Sequence, residues 1–186
     1  MKSLILIGYR ATGKTTVAGK LADRLGIPAF DSDVEIERRA GKSIADIFAQ
    51  DGESVFRDLE ESVIAKILTG ESAMALPLIL ATGGGAILRS STRERLRQSG
   101  RVIWLMATPE SILTRMTSDS ASATMRPNLT SLPLYEEIVA ILKQRKPLYA
   151  ETAHEIIDTD CQTIEGIVRT ILHNPAAAKP DAYCTT

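Results

Sequence analysis

The chain has 186 residues, of which 44% are hydrophobic and 24% are charged, so it fits one compact domain that buries most of its apolar surface. Its 22 basic and 23 acidic side chains leave a net charge of −1, which argues against a nucleic-acid surface. No apolar stretch reaches the ~20 residues of a membrane helix, and the amino terminus lacks a signal-peptide core. Two cysteines are too few for a disulfide framework. We therefore expect a cytoplasmic protein.

Short apolar runs alternate with amphipathic stretches along the chain. The runs are typical of buried strands and predict five of them: Leu4–Gly8, Pro28–Phe30, Leu78–Thr82, Val102–Ala107 and Glu155–Asp158. The stretches with helical spacing predict seven helices: Thr15–Leu25, Val34–Ala40, Ser54–Leu68, Thr92–Gln98, Pro109–Met116, Tyr135–Lys146 and Thr163–Leu172. This alternation indicates a mostly parallel sheet that is covered by helices and joined by right-handed crossovers.

Two segments lack both patterns. Residues 117–124 are all Ser, Thr, Ala or Asp, and Met125-Arg126-Pro127-Asn128 follows, so we expect a mobile lid over about residues 117–131. Residues 174–186 contain two prolines and an alanine run, so we expect a poorly ordered tail. Residues 1–173 are predicted to form a single domain.

The first predicted strand is followed by Gly8-Tyr9-Arg10-Ala11-Thr12-Gly13-Lys14-Thr15, which has the G-x-x-x-x-G-K-[ST] spacing of a phosphate-binding loop. Glycines let successive N–H groups converge on phosphate oxygens, and the amino terminus of the next helix adds a favourable dipole. The residues predicted to bind ATP are Gly8, Ala11, Thr12, Gly13, Lys14, Thr15 and Thr16. Lys14 should bridge the β- and γ-phosphates, and the Thr15 hydroxyl should bind Mg²⁺. The chain has no N-K-x-D motif, which argues against a GTPase.

Asp31-Ser32-Asp33 comes directly after the second predicted strand, at the carboxyl end where ligands bind in open α/β sheets. On an extended chain the two carboxylates project to the same side. One carboxylate can hold Mg²⁺-bound water while the other orients an attacking hydroxyl group and accepts its proton, and Asp31 is the candidate for the metal. The alternative is that Asp33 only caps the helix predicted to begin at Val34.

Arg57 lies at the edge of the apolar arc of its predicted helix, with Glu60 and Glu61 one turn further on. Either glutamate could fix the guanidinium for a ligand, or the contact could be only a surface ion pair. Beyond the third predicted strand, Gly83-Gly84-Gly85 would let a ligand approach bare backbone N–H groups, whereas a simple turn needs one glycine.

Arg145 continues an apolar stripe on its predicted helix that is formed by Ile138, Ile141 and Leu142. A core-facing helix normally carries an apolar residue there, and an inward arginine needs an anion. Pro147 is expected to end the helix, which would leave the guanidinium at the rim of a cleft. Arg57 and Arg145 together suggest that the substrate carries a carboxylate.

Taken in chain order, these motifs resemble the shikimate kinases, a branch of the nucleoside monophosphate kinase-like P-loop fold, from Ser3 to about Leu172. The resemblance rests on six features: Gly8–Thr15, Asp31-Ser32-Asp33, Phe56-Arg57, Gly83-Gly84-Gly85, Arg126-Pro127 and Arg145-Lys146-Pro147-Leu148-Tyr149. It implies an α/β fold of three layers (α/β/α) with a five-stranded parallel sheet of order 2-3-1-4-5. It also implies transfer of the γ-phosphoryl group of ATP to the 3-hydroxyl of shikimate, which gives shikimate 3-phosphate and ADP.

The same resemblance implies roles for single residues on the acceptor side. Asp33 would bind the shikimate hydroxyls and act as the base or orient the attacking hydroxyl. Arg57 and Arg145 would bind the shikimate carboxylate, with the backbone around Gly84 beside them. The expected partner is therefore this small molecule, bound by a monomer that binds neither nucleic acid nor a membrane.

On the nucleotide side, the resemblance implies that Arg126 of the lid closes over the phosphates. Arg115 would pack against adenine, with residues 159–162 on the other face of the base.

Two kinds of alternative stay open. A gluconate kinase-like or nucleoside monophosphate kinase-like enzyme should lack the combined Asp33, Arg57, triple-glycine and Arg145 set. A nucleotide-dependent binding protein without activity would be expected to lose Lys14 or Asp33, and both residues are present.

Overall fold

The computed structural model describes residues 2–70, 77–118 and 132–173. Five strands form one sheet, in which every neighbouring pair is parallel and the order is β2-β3-β1-β4-β5. The predicted order is therefore confirmed. The strands are β1 Ser3–Ile7, β2 Ala29–Asp31, β3 Ile79–Ala81, β4 Gly100–Met106 and β5 Glu155–Asp158.

Helices cover both faces of this sheet. In the described part of the chain they are α1 Lys14–Leu25, α2 Ser32–Ala40, α3 Ile44–Gln50, α4 Gly52–Thr69, α5 Ser90–Ser99, α6 Pro109–Ser118, α7 Leu134–Thr152 and α8 Ile164–His173. All seven predicted helices are present, and α3 is an addition. No helix in these ranges is both long and apolar enough to cross a membrane.

The central strand β1 shows why the domain has three layers. All five of its residues are buried, as expected for a strand with helices on both faces. Ile5 and Ile7 pack into an apolar cluster with α2, α3, α4 and α5, whereas Leu4 and Leu6 pack into another with α1 and α8. The alternation of side chains along one strand thus supplies two separate cores.

Helix α7 does not end near Pro147, as the sequence predicted, but continues to Thr152. A proline inside a helix removes one backbone hydrogen bond and crowds the preceding turn. Tertiary contacts beyond it compensate, because the buried Tyr149 ring stacks on Trp104 with 5.3 Å between ring centroids. The Tyr149 hydroxyl also donates a hydrogen bond of 2.6 Å to the Gly84 carbonyl.

The predicted lid and tail fall largely outside the described residues. Thr117 and Ser118 belong to the end of α6. The rest of the predicted lid, including Arg126, and the whole of the predicted tail lie outside the ranges given above.

Candidate active site

The phosphate loop joins β1 to α1 and folds back through residues with positive φ. Gly8 and Gly13 have φ angles of 145° and 86°, and Ala11 is left-handed at 60°. A Cβ atom at Gly8 would overlap the carbonyl oxygen of Leu105 on β4, so only glycine fits there. Because α1 begins at Lys14, its amino terminus faces the inside of the loop. This geometry is that of an anion-binding cradle.

Lys14 crosses the loop. The residue is only 8% exposed, and its Nζ donates a hydrogen bond of 2.6 Å to the carbonyl oxygen of Tyr9. The Thr12 hydroxyl donates to the same carbonyl at 2.9 Å. Lys14 lines a cavity together with Gly13, Thr15 and other residues of the loop and of α2 and α6. We call it the nucleotide cavity.

Thr15 and Asp31 bring two oxygen atoms together at the edge of this cavity. The Thr15 hydroxyl donates to Asp31 Oδ2 at 2.6 Å. Asp31 Oδ1 accepts from the backbone N–H of Asp33 at 2.9 Å, so Asp31 is the residue that caps α2. The cap alternative for Asp33 is therefore wrong. A hydroxyl and a carboxylate oxygen are donors of the type that Mg²⁺ prefers, so this pair fits the predicted metal site.

Asp33 lies in the first turn of α2, because that helix begins at Ser32 and not at Val34. The sequence predicted that Asp31 and Asp33 project to the same side because the chain is extended there, and this reason is wrong. The helical turn instead leaves Asp31 at the cap and brings Asp33 to the boundary of two cavities. Asp33 lines both the nucleotide cavity and a second, adjoining cavity, which we call the acceptor pocket.

The three glycines after β3 make room for side chains of the acceptor pocket. A Cβ at Gly83 would lie 2.6 Å from Asp33 Oδ1 and 2.8 Å from Glu60 Oε1. A Cβ at Gly85 would overlap the Arg57 guanidinium. The N–H of Gly83 donates to the Ser32 hydroxyl at 2.8 Å, so the expectation of ligand-facing N–H groups does not extend to Gly83.

Arg57 is held by two glutamates on its own helix. Its Nη1 donates to Glu60 at 2.6 Å and its Nη2 to Glu53 at 3.1 Å. Glu61, the other partner considered from the sequence, instead bonds to Arg89 of the following loop. Burial raises the pKa of the Glu60 carboxyl although the Arg57 guanidinium lowers it. The pair is therefore a fixed wall of the acceptor pocket and not a surface ion pair.

Arg145 enters the acceptor pocket from α7. It is 8% exposed, and its Nη1 donates to the Gly84 carbonyl at 3.1 Å. Its Nε is buried and makes no hydrogen bond within the described residues. Unlike Arg57, Arg145 has no carboxylate at salt-bridge distance in that part of the chain, so it is the cation with most to gain from an anionic ligand.

Apolar side chains close the rest of the acceptor pocket. Ile44 and Phe48 come from α3 and Phe56 from α4. The sequence reasoning missed α3, which is only seven residues long. The sequence does carry a helix-start signal here, since Ser43 and Asp46 have the S-x-x-D spacing of a capping box. In the structure, Ser43 accepts a hydrogen bond from the N–H of Asp46.

Tyr9 and Arg10 are two further pocket residues that the sequence reasoning did not assign. Both belong to the phosphate loop, and both line the acceptor pocket. Arg10 forms an ion pair of 2.8 Å with the fully buried Glu137 of α7. No sequence pattern distinguishes these variable loop positions, because their direction depends on the positive-φ residues around them.

Arg115 lines the nucleotide cavity from α6. Its guanidinium donates to the carbonyl and the hydroxyl of Thr159 at 2.9 and 3.0 Å. These bonds hold the start of the segment after β5 against Arg115. The role of Arg115 against the base stays a prediction, as does that of Arg126.

A phosphate loop beside a second pocket lined by carboxylate and guanidinium groups, at the carboxyl ends of a parallel sheet, defines a small-molecule kinase of the P-loop class. The family model described as shikimate kinase matches residues 10–175. The chain belongs to the shikimate kinase family.

Individual relatives agree with this assignment. The chain is 38% identical to a shikimate kinase of Rhodopirellula baltica over 169 residues, which cover 91% of this chain and 88% of the relative. It is 40% identical to a shikimate kinase of Oleidesulfovibrio alaskensis over 179 residues, which cover 96% and 99%. A solved structure of the shikimate kinase from Acinetobacter baumannii in complex with shikimate is 36% identical, with a TM-score of 0.84 over 93% of this chain and 92% of that one. These matches favour the shikimate kinase interpretation over the sister kinases.

Proposed function

We propose that this shikimate kinase transfers the γ-phosphoryl group of ATP to the 3-hydroxyl of shikimate, with shikimate in the acceptor pocket and ATP in the nucleotide cavity. The observation that carries the proposal is that the two cavities adjoin and share Asp33 and Gly84. An acceptor hydroxyl at this boundary would face the terminal phosphate. Phosphoryl transfer depends mostly on such positioning and on charge stabilisation.

Asp33 orients the attacking hydroxyl and accepts its proton. Asp33 lines both cavities, which supports a position for its carboxylate between the acceptor and the phosphate. The glycine at position 83 keeps that space open, since a side chain there would collide with Asp33 Oδ1. A carboxylate in this position can hydrogen-bond the hydroxyl before transfer and take its proton as the phosphoryl group departs.

Arg57 and Arg145 bind the carboxylate of shikimate. They reach the acceptor pocket from α4 and α7. Arg57 is already compensated by Glu60, so Arg145 contributes most of the uncompensated positive charge. Two guanidinium groups on one carboxylate give geometric selectivity as well as charge.

Lys14 and the loop N–H groups bind the β- and γ-phosphates, and Arg126 of the predicted lid would contribute a further positive charge to them. Thr15 and Asp31 would hold Mg²⁺, since their oxygens already meet at the edge of the nucleotide cavity. When bound, the metal neutralises negative charge on the phosphates. Arg115 and the segment after β5 would hold the adenine.

We propose that the protein acts as a monomer in the cytoplasm. Gel filtration at assay concentration would check the oligomeric state, and an obligate dimer would contradict it.

A coupled ADP-release assay tests the proposed reaction. The purified chain is given ATP and Mg²⁺ with one of shikimate, quinate, gluconate or a nucleoside monophosphate. We expect turnover with shikimate, its loss in excess chelator and its recovery on adding Mg²⁺. Turnover with a nucleoside monophosphate and none with shikimate would overturn the proposal. Lys14→Ala serves as the matched control for contaminating kinases.

A further inference from the structure

Tyr9 takes part in both the phosphate loop and the acceptor pocket. Its carbonyl oxygen belongs to the phosphate loop, where it accepts hydrogen bonds from Lys14 and Thr12. Tyr9 also lines the acceptor pocket, and its hydroxyl lies within electrostatic range of Arg145 in that pocket. The ring is 2% exposed and packs in an apolar cluster with residues of α6 and α7, among them Ile112 and Ile138. The hydroxyl therefore has a fixed position.

This hydroxyl has an unused proton. It is buried, and no acceptor for its proton lies within hydrogen-bond distance among the described residues. The Arg10 guanidinium lies near enough to lower the pKa of Tyr9, but a guanidinium only donates and cannot accept the phenol proton. Buried hydroxyl groups without a partner are rare in folded proteins, because burial removes the water that would satisfy them.

The charges around the hydroxyl favour an anion as the missing partner. Burial raises the pKa of Tyr9, so the group is a neutral phenol at physiological pH and can donate. Arg10 and Arg145 act on it as cations and Glu137 as an anion. Arg10 and Glu137 neutralise each other in their ion pair, which leaves the charge of Arg145.

We propose that Tyr9 is a further acceptor-binding residue, whose hydroxyl donates a hydrogen bond to the substrate carboxylate beside Arg145. The inference rests on the proposed placement of shikimate in the acceptor pocket. Tyr149 makes the contrast clear. Its hydroxyl is also buried in this region, but it already donates to the Gly84 carbonyl and so serves the fold.

Tyr9→Phe removes only the hydroxyl. We expect the dissociation constant and KM for shikimate to rise about 10-fold, as for a bond to a charged group, while KM for ATP stays the same. Without ligands the melting temperature should be unchanged or higher, because an unpartnered buried hydroxyl is lost. A decarboxylated shikimate analogue should bind equally weakly to the variant and the wild type.

Two other tyrosines provide controls. Tyr149→Phe should lower the melting temperature, because its hydroxyl bond belongs to the fold. Tyr135→Phe removes an exposed hydroxyl that pairs with Glu110 on the surface, so it should change neither quantity. Calorimetric titration with shikimate and thermal melts of all three variants give the comparison.

The outcomes separate this inference from the proposed function. If Tyr9→Phe binds shikimate within twofold of wild type, or melts as low as Tyr149→Phe, the inference is overturned. If that happens while Arg145→Met loses shikimate binding, the placement of the substrate stands. If neither variant weakens shikimate binding, the placement of shikimate in the acceptor pocket falls as well.

Discussion

Arg145→Met keeps an unbranched side chain of similar length and removes the guanidinium. The variant loses one hydrogen bond, from Nη1 to the Gly84 carbonyl, and also a buried positive charge that is costly to desolvate. These effects oppose each other, so the melting temperature should change little. If the other guanidinium donors bind shikimate, the variant loses a charge-assisted bond worth roughly 1.5–3 kcal/mol, which lowers kcat/KM for shikimate about 10- to 150-fold.

The coupled ADP-release assay measures this at saturating ATP, and KM for ATP should barely change. An acceptor analogue with a neutral amide in place of the carboxylate gives the decisive comparison. The wild type should discriminate strongly against the amide, and Arg145→Met weakly. If both proteins prefer the carboxylate over the amide to the same degree, Arg145 does not bind the carboxylate.

Arg57→Met provides an internal comparison for the same reasoning. It should weaken shikimate use in the same way, and the double variant should lose less than the sum of the two losses if both guanidiniums share one carboxylate. Unlike Arg145→Met, it leaves the buried Glu60 without its ion-pair partner. The melting temperature should therefore fall for Arg57→Met only.

Other substitutions test the phosphate loop, the glycine turn and the electrostatics of the fold. Lys14→Ala should lower kcat by orders of magnitude with no fall in melting temperature, and near-normal turnover would contradict its role. Gly85→Ala should raise KM for shikimate, because the new Cβ displaces Arg57. Gly19→Ala in α1 is the control: its Cβ meets open space, so KM should stay the same and the free energy of unfolding should rise by about 1 kcal/mol. Equal KM values for the two variants would count against the steric argument. The Arg38 guanidinium, hydrogen-bonded to Glu35, lowers the pKa of that carboxyl to about 2, so its stabilisation is complete above the unfolded pKa of ~4.3 and is lost as pH falls toward 2. Glu35→Gln should accordingly lower the melting temperature more at pH 7 than at pH 3, and thermal melts with equal losses at both pH values would show that the charge of Glu35 adds no stability.

The sheet order could be predicted because its strands carry strong local signals. Four of the five residues of β1 are apolar and all five are buried, which is typical of a parallel strand between two helical layers. The phosphate loop is similarly local, since its spacing, strand and helix are consecutive. Long-range consequences were harder to predict. Pro147 predicts the end of a helix, but the packing of Tyr149 on Trp104 keeps α7 helical beyond it.

The details of the acceptor pocket depend on contacts that no sequence pattern encodes. The spacing of Arg57, Glu60 and Glu61 allowed either glutamate as the partner, and only the rotation of α4 against the sheet selects Glu60. The direction of the Tyr9 side chain depends on a loop that contains a left-handed Ala11. Positions of this kind follow from tertiary packing, so sequence reasoning identified Asp33, Arg57 and Arg145 but missed Tyr9, Arg10, Ile44 and Phe48.

The carbonyl of Gly84 links the acceptor pocket to the phosphate loop. It accepts hydrogen bonds from both Arg145 and Tyr149, one helical turn apart on α7. On its other side, a Cβ at Gly84 would lie 3.4 Å from the backbone nitrogen of Arg10 in the phosphate loop. The glycine turn is thus clamped between the helix that carries Arg145 and the loop that binds phosphate. Because phosphoryl transfer depends on alignment of the attacking and leaving groups, we expect this link between the two cavities to hold the proposed acceptor in register with ATP.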